Sequence, residues 1–195
     1  MKALISFYQS SIGKKWIVAL TGVVLVLFVT GHMLGNLQIF LGPEAINGYA
    51  EKLQDLGALL WVIRGFLLLA VVLHITTTVL LAIQNAKARP HKYAMTRRVQ
   101  ATIAARTMLL SGLVLLCFII FHLLHFTVQT IDPQLREWDT AGRHDVYDMM
   151  IAGFQSPLVA GFYILSVFLL CLHMSHGIQS FLQTLGVRTR KLAQP

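Results

Sequence analysis

The chain has 195 residues, of which 56% are hydrophobic and 12% charged, and its formal net charge is +8. Soluble domains carry about 25% charged residues, so this composition excludes an ordinary soluble protein and indicates an integral membrane protein. A basic total can also indicate nucleic-acid binding, but these basic residues form no patch on an otherwise soluble surface. We therefore expect no nucleic-acid partner. The two cysteines, Cys117 and Cys171, lie within apolar runs and are interpreted as small hydrophobic residues.

The apolar pattern predicts four membrane-spanning helices, preceded by a short amphipathic lead over residues 1–15. Each run is long enough to cross a hydrocarbon layer of about 30 Å. The first run is too long for the apolar part of a signal peptide, so we expect it to be retained. The predicted helices cover residues 16–41, 58–86, 104–131 and 157–185.

Polar segments separate these runs, and the first of them, from Gly42 to Gly57, is predicted to be a loop. Ser156 and Pro157 give a good start signal for the last helix, as a cap and a first-turn proline. No linker interrupts the pattern. The sequence predicts an all-α membrane protein, an up-down transmembrane helix bundle with four spans, in which residues 1–195 form a single transmembrane domain.

The distribution of charge predicts the orientation of the helices. Twelve of the 16 basic residues lie in the lead, the 86–106 linker and the tail: Lys2, Lys14, Lys15, Lys87, Arg89, Lys92, Arg97, Arg98, Arg106, Arg188, Arg190 and Lys191. All eight acidic residues lie in the other two loops: Glu44, Glu51, Asp55, Asp132, Glu137, Asp139, Asp145 and Asp148. Because Lys and Arg favour the cytoplasmic side, both termini are predicted to be cytoplasmic.

Each predicted span carries a histidine well inside the apolar run, where a polar side chain is costly and indicates function. His32, His74 and His173 each lie about 16 residues past the start of their span, and His122 lies at a similar distance. At 1.5 Å per residue this is about 24 Å. Because successive helices run in opposite directions, His32 and His122 are predicted near the outer face. The other two are predicted near the inner face.

In an up-down bundle the first and third helices are diagonal neighbours, as are the second and fourth. Each layer would therefore contain two imidazoles that face each other, which is the arrangement for a haem with two histidine ligands. A single histidine in a span could simply bond to a neighbouring helix, but four at paired depths favour haem. A proton relay is the main competitor, and none of the predicted spans contains an acidic residue to share that role.

His125 and His176 lie one turn from His122 and His173 and are rival ligands. Their depths match the other histidines less well, so we expect them to meet haem propionates, quinone or a neighbouring backbone instead. His144 and His91 fall in loops and are interpreted as surface residues.

Four stretches give a more specific indication: FYQSSIGKKWIVALTG, HMLGNLQIFLGPEAINGYAEKLQ, FHLLHFT and LHMSHGIQSFLQTLG. Together they resemble the cytochrome b subunit of succinate:quinone oxidoreductases, the membrane anchor of respiratory complex II. The closer likeness is to the single-anchor, two-haem type, a family that includes quinol:fumarate reductases. The resemblance implies that His32 and His122 bind a distal haem b and that His74 and His173 bind a proximal one. This is the same pairing that depth indicates.

The resemblance also implies electron transfer between an iron–sulphur subunit and membrane quinone, with menaquinone expected. A flavoprotein subunit would carry the succinate or fumarate chemistry of the tricarboxylic acid cycle, so the chain would belong to an enzyme without binding succinate itself. The implied location is the bacterial cytoplasmic membrane, in contact with lipid. The family usually has a fifth helix, and we expect haem binding to need only the four spans present here.

Further contacts are weaker predictions. Arg64 could pair with a propionate of the distal haem, and Arg106 with one of the proximal haem, although arginines near helix ends also extend to the interface without any ligand. Gly31 and Gly35, beside His32, could make room for a flat macrocycle or allow close helix packing. Glu44 and Glu51 could accept protons at an outer quinol site, or be ordinary loop acids.

The pairs Ser10/Lys14 and Ser11/Lys15 are similar to a quinone-site pattern of some complex II anchors, and a helix cap with interface lysines is the alternative. Two other functions stay open at this stage. One is a two-haem anchor of formate dehydrogenase or nitrate reductase type. The other is a haem-free transporter or scaffold.

Overall fold

The computed structural model describes residues 2–88 and 103–187, and within these ranges it contains helices and no β-strand. One isolated bridge pairs Trp138 with His144. The predicted all-α fold is therefore confirmed. Several residues used to predict the orientation lie outside the described ranges, together with one loop histidine: Arg89, His91, Lys92, Arg97, Arg98, Arg188, Arg190 and Lys191.

Seven α-helices follow one another along the described residues. They are α1 (Lys2–Gln9), α2 (Ser11–Asn36), α3 (Pro43–Gln54), α4 (Ala58–Lys87), α5 (Ile103–His122), α6 (Val146–Gly153) and α7 (Pro157–Thr184). A 3₁₀ turn over Leu37–Leu41 extends α2, and a π-helical turn over Leu123–Thr127 extends α5. Four helical stretches are long and apolar enough to cross a membrane: Ser11–Leu41, Ala58–Lys87, Ala104–Thr127 and Pro157–Thr184. The chain is a multi-pass membrane protein of the all-α class.

The first span begins at Ser11, earlier than the predicted residue 16, because the chain turns at Ser10 and does not stay irregular. The Ser10 hydroxyl accepts a hydrogen bond of 2.9 Å from the amide of Gly13 and so caps the start of α2. A Cβ atom at Gly13 would lie 1.9 Å from the carbonyl oxygen of Phe7. The close approach of α1 and α2 at this turn therefore requires glycine.

The third span ends at Thr127, before the predicted residue 131. The amide of Val128 bonds to the carbonyl of Leu123 at 2.7 Å, which is the wider spacing of a π-helix. Gln129 then adopts a positive φ of 56°, which stops the helix. Its buried side chain donates to the carbonyl of Leu135 at 3.3 Å and holds the following segment against the helix end.

The loop prediction for residues 42–57 is wrong, since most of this segment is helix α3. Pro43 occupies the first turn, Glu44 lies near the positive end of the helix dipole and Lys52 near the negative end. Ile46 and Asn47 are its buried residues. The other residues of this polar helix are exposed or half-buried.

Two compact units can be distinguished by their internal contacts. The first comprises residues 1–28, 63–106 and 174–195, and the second comprises residues 29–62 and 107–173. Each unit therefore draws on all four long helices, and each is described below by itself. The prediction of a single domain stays a prediction.

Candidate functional site

In the first unit, His74 of α4 is held by a hydroxyl group of α2. The Nδ1 atom of His74 lies 3.1 Å from Oγ1 of Thr21. That hydroxyl donates its one hydrogen to the carbonyl of Ile17, at 2.7 Å. A hydroxyl group that donates there accepts from His74, which places the ring hydrogen on Nδ1 and the lone pair on Nε2. An imidazole in this form is ready to bind a metal through Nε2.

The second unit repeats this arrangement between α5 and α7. The Nδ1 atom of His173 lies 3.1 Å from Oγ of Ser111, and Ser111 donates to the carbonyl of Met108 at 3.1 Å. The same reasoning assigns the ring hydrogen of His173 to Nδ1 and a lone pair to Nε2. Ser111 is 2% exposed, so water does not compete for this hydrogen bond.

A glycine follows each of the two hydroxyl residues and lies against the histidine ring. A Cβ atom at Gly22 would lie 3.4 Å from Cε1 of His74, and one at Gly112 would lie 3.5 Å from Cε1 of His173. A side chain longer than alanine at either glycine would displace the ring. The histidines were predicted from depth, whereas the sequence analysis missed the Thr-Gly and Ser-Gly pairs that orient them.

His32 and His122, the predicted outer pair, come together in the second unit. Their ring centroids are 5.7 Å apart and their planes are nearly perpendicular, at 84°. Metal–imidazole bonds of about 2 Å require two facing ring nitrogens about 4 Å apart, and rings at this spacing are suited to that requirement. A Cβ atom at Gly31 would have no atom within 4 Å, whereas one at Gly35 would lie 2.8 Å from the ring of Tyr49. Gly35 therefore serves close packing, and open space adjoins Gly31.

Tyr163 of α7 joins the two histidines of the third span. Its hydroxyl lies 3.2 Å from Nδ1 of His122 and 3.2 Å from Nδ1 of His125. The Nε2 atom of His125 lies 3.2 Å from Oδ2 of Asp132, which is ion-pair distance, although no aligned hydrogen bond forms at this nitrogen. His125 is 0% exposed and both its ring nitrogens face protein groups. Of His122 and His125, His122 is the more exposed residue.

Two buried hydroxyl groups have no hydrogen-bond partner within the described ranges, namely those of Thr77 and Ser166. Thr77 lies one turn after His74 on α4, and Ser166 one turn after Tyr163 on α7. Buried polar groups are nearly always satisfied, so these two hydroxyl groups are exceptions to the usual pattern.

The predicted quinone residues lie at the junction of α1 and α2. Ser10 donates to the carbonyl of Phe7 at 2.7 Å in addition to capping α2, and Ser11 is exposed. The ammonium group of Lys14 donates to the carbonyl of Gln9 at 2.9 Å, and this side chain is only 4% exposed. These contacts account for Ser10 and Lys14 as parts of a helix junction. Their role toward quinone stays a prediction.

Arg64 of α4 and Arg106 of α5 are exposed, and their predicted pairing with propionates also stays a prediction. His173 belongs to the second unit, whereas His74 and His176 belong to the first, where His176 is half-buried.

A hydrogen-bonded network joins α3 to the segment before α6 within the second unit. Arg143 binds both carboxylate oxygens of Glu44 at 2.8 Å and also contacts Asp139 at 2.8 Å. The Arg143 guanidinium holds the pKa of the Glu44 carboxyl group below its usual range, and the backbone amide of Arg143, with the guanidinium, does the same for Asp139. The predicted role of Glu44 toward quinol stays a prediction. Glu51 is exposed.

The residues described contain no group of three or more His, Cys, Asp or Glu side chains that could hold a bare metal ion. A haem iron needs only two protein ligands, because the macrocycle supplies the other four. His32 and His122 supply that number of ligands within the second unit. Comparisons of the chain with protein-family models, curated proteins and solved structures gave no match.

Proposed function

We propose that this chain is a di-haem cytochrome b anchor that transfers electrons between an iron–sulphur subunit of a succinate:quinone oxidoreductase and membrane quinone. The observation that carries the proposal is the contact of His74 and of His173 with a hydroxyl group. In both, the hydroxyl oxygen lies 3.1 Å from Nδ1, in position to accept the ring hydrogen of a histidine that binds a metal through Nε2. Histidine ligands of metals nearly always donate their second ring N–H in this way.

His32 and His122 support the second half of the proposal. Their rings lie 5.7 Å apart, and Nδ1 of His122 is engaged by Tyr163, so its Nε2 is the nitrogen available to a metal. We assign His32 and His122 to a distal haem b and His74 and His173 to a proximal haem b. When bound between two histidines, haem b supplies one-electron transfer and has no open position for oxygen.

The residues of the chain do the positioning. Thr21 and Ser111 fix the tautomers and orientations of His74 and His173, and the apolar spans exclude water from the ligands. A dry surrounding matters because it controls the dielectric constant around the iron and hence its potential. Arg64 and Arg106 are proposed to pair with propionates, and Ser10, Ser11 and Lys14 to contact quinone, with menaquinone as the expected type.

The proposed orientation has both termini on the cytoplasmic side of the bacterial inner membrane. Lys14, Lys15, Lys87 and Arg106 lie toward the ends of helices that would meet the cytoplasm, as the positive-inside rule requires. This basic face would receive the iron–sulphur subunit, which in turn would carry the flavoprotein subunit. The acidic outer segments, joined through Glu44 and Arg143, would face the other side.

Purification of the tagged chain from its own membranes tests this function. We expect a flavoprotein with covalent FAD and an iron–sulphur protein to co-purify, and succinate to reduce the b-type haem of the complex. Reduction by formate, or co-purification of a molybdenum-containing subunit, would instead assign the chain to a formate dehydrogenase or nitrate reductase type. A chain that purifies without haem would be a transporter or scaffold. His176→Ala is a matched control, because His176 is not among the four proposed ligands.

A further inference from the structure

We propose that Tyr163 is a positioning residue that couples the ligand His122 to the charge of Asp132 through His125 and thereby lowers the midpoint potential of the distal haem. This inference rests on the proposed function, since it concerns the surroundings of one of the proposed ligands. It assigns a role to Tyr163, His125 and Asp132, none of which is a proposed ligand of iron.

Tyr163 is well fixed for this role. The residue is 9% exposed, and its ring packs edge-on against Phe154 and Phe118 with centroid distances of 4.9 and 5.0 Å. Such edge-to-face contacts are a favourable geometry for aromatic rings and leave the ring little freedom to move. Its hydroxyl is therefore held midway between His122 and His125, at 3.2 Å from each Nδ1 atom.

The hydrogens along this chain can be assigned from the available donors. If Nε2 of His122 binds iron, its ring hydrogen is on Nδ1 and is donated to the Tyr163 oxygen. The hydroxyl hydrogen of Tyr163 is then free to be donated to Nδ1 of His125. The ring hydrogen of neutral His125 must consequently lie on Nε2, which is the nitrogen 3.2 Å from the Asp132 carboxylate. Each group donates once, and the order of donors runs from His122 through Tyr163 to the side of His125 that faces Asp132.

The contact at the end of this chain acts mainly through charge. The Nε2 atom of His125 and Oδ2 of Asp132 lie at ion-pair distance without hydrogen-bond alignment, and His125 is fully buried whereas the Asp132 side chain is 34% exposed. In a buried surrounding the field of a carboxylate polarises the groups that it faces. A negative charge at this end increases the electron density on His122 and favours ferric over ferrous iron.

The contacts that orient the two proximal ligands are of another kind, since the hydroxyl groups of Thr21 and Ser111 bond to backbone carbonyls. The distal haem therefore has a ligand, His122, whose contacts lead through Tyr163 and His125 to a carboxylate. The hydroxyl contacts of His74 and His173 end at backbone carbonyls instead. A difference in potential between the two haems follows from this asymmetry.

Redox titration of the purified complex, followed at the haem α-bands, tests the inference with Tyr163→Phe. This variant keeps the ring and removes the hydroxyl. We expect the distal haem, identified as the one lost in His122→Ala, to become about tenfold easier to reduce, an upward shift of about 59 mV for one electron. The proximal haem should keep its potential. The electron paramagnetic resonance signal of the ferric distal haem should also shift, because the ligand field of His122 changes.

Asp132→Asn is the second variant and alters a partly exposed side chain, so it keeps the inference testable if Tyr163→Phe does not assemble. It should shift the distal potential in the same direction by a smaller amount. Tyr147→Phe, which removes a hydroxyl in α6, is the matched control and should shift neither haem. Unchanged distal potentials in Asp132→Asn, or equal shifts of both haems in Tyr163→Phe, would overturn the inference and leave the proposed function standing. A complex without haem would overturn both.

Discussion

The Nδ1 atom of His173 lies 3.1 Å from the hydroxyl oxygen of Ser111, and the same relationship recurs in the other half of the chain between His74 and Thr21. Both hydroxyl residues precede a glycine, and each lies eleven positions before another histidine of its own span. His32 follows Thr21 at this distance, and His122 follows Ser111. Eleven residues are close to three helical turns, so the hydroxyl and the outer histidine lie on one face of their helix. Each half therefore orients one histidine and contributes another.

Replacing Thr21 by valine removes the acceptor for His74 at nearly constant volume. A neutral hydrogen bond is worth about 1 kcal/mol, so the potential of the proximal haem should rise by up to about 40 mV as the ligand becomes less basic. Redox titration measures this shift. Thr76→Val is the control, because the Thr76 hydroxyl bonds to the carbonyl of Val72 at 2.7 Å and Thr76 is exposed. Equal effects of the two variants would show that the Thr21 contact is unrelated to the ligand.

His122→Ala should remove one of two haems and leave the other in place. His125→Ala should keep both haems, because its ring nitrogens already face Tyr163 and Asp132. Haem content per chain, measured as the pyridine haemochrome, checks both variants. The reverse result, with loss in His125→Ala and full content in His122→Ala, would make His125 the ligand.

Asn47→Leu should loosen the segment 132–155 without changing haem content. The buried amide of Asn47 donates to Asp145 at 3.1 Å and accepts from the amide of Tyr147 at 3.0 Å, and it is 1% exposed. Leaving such buried partners unsatisfied costs about 1–3 kcal/mol. Limited proteolysis of this segment in intact complex should accelerate, whereas Gln54→Ala, at an exposed position of the same helix, should behave as wild type. A wild-type rate of proteolysis in Asn47→Leu would contradict the role of Asn47 in holding this segment.

The attachment of the same segment should depend on pH through Arg143. Because the pKa values of Glu44 and Asp139 are lowered in the folded protein, these carboxylates stabilise it when ionised. Their contribution is complete above the ordinary pKa values of about 3.9 to 4.3 and is lost as the pH falls through the lowered ones. Hydrogen exchange of residues 132–155, corrected for its intrinsic pH dependence, should be constant at neutral pH and increase in acid.

In Arg143→Gln, the amides of residues 132–155 should exchange faster than in the wild type already at neutral pH. Their exchange rate should then increase less than that of the wild type when the pH is lowered. A wild-type profile that changes between pH 7 and pH 5 would contradict the role given to the two carboxylates, because that is about where imidazoles titrate.

The spans with simple boundaries could be predicted from the sequence almost to the residue. The second was predicted as 58–86 and is Ala58–Lys87, and the fourth was predicted as 157–185 and is Pro157–Thr184. In both, an apolar run begins abruptly and composition alone sets the limits. The end of the third span was predicted wrongly because it is set by a π-helical turn. That turn depends on the hydrogen bond from the amide of Val128 to the carbonyl of Leu123, and no residue type in the sequence indicates it.

Helix α3 was missed for a different reason. Its apolar face is narrow, with Ile46 as its buried hydrophobic residue, and Asn47 is buried although it is polar. A polar residue that is buried through contacts with Asp145 and Tyr147, about a hundred positions away, gives no local signal.

The candidate site was predictable to the same partial degree. A histidine inside an apolar run is noticeable because its burial in the membrane is costly, so the sequence singles out His32, His74, His122 and His173 as candidates. Thr21, Ser111 and Tyr163 were not, because a hydroxyl in a membrane helix usually bonds to its own backbone. Only the rotation of the neighbouring helices brings these hydroxyls to the Nδ1 atoms.

The most direct test of the central claim is the reduced-minus-oxidised spectrum of the purified protein, with haem quantified against the chain. The account predicts a b-type α-band and two haems for each chain, falling to one in His74→Ala. A spectrum without a b-type α-band, from a chain that is folded and helical, would contradict it.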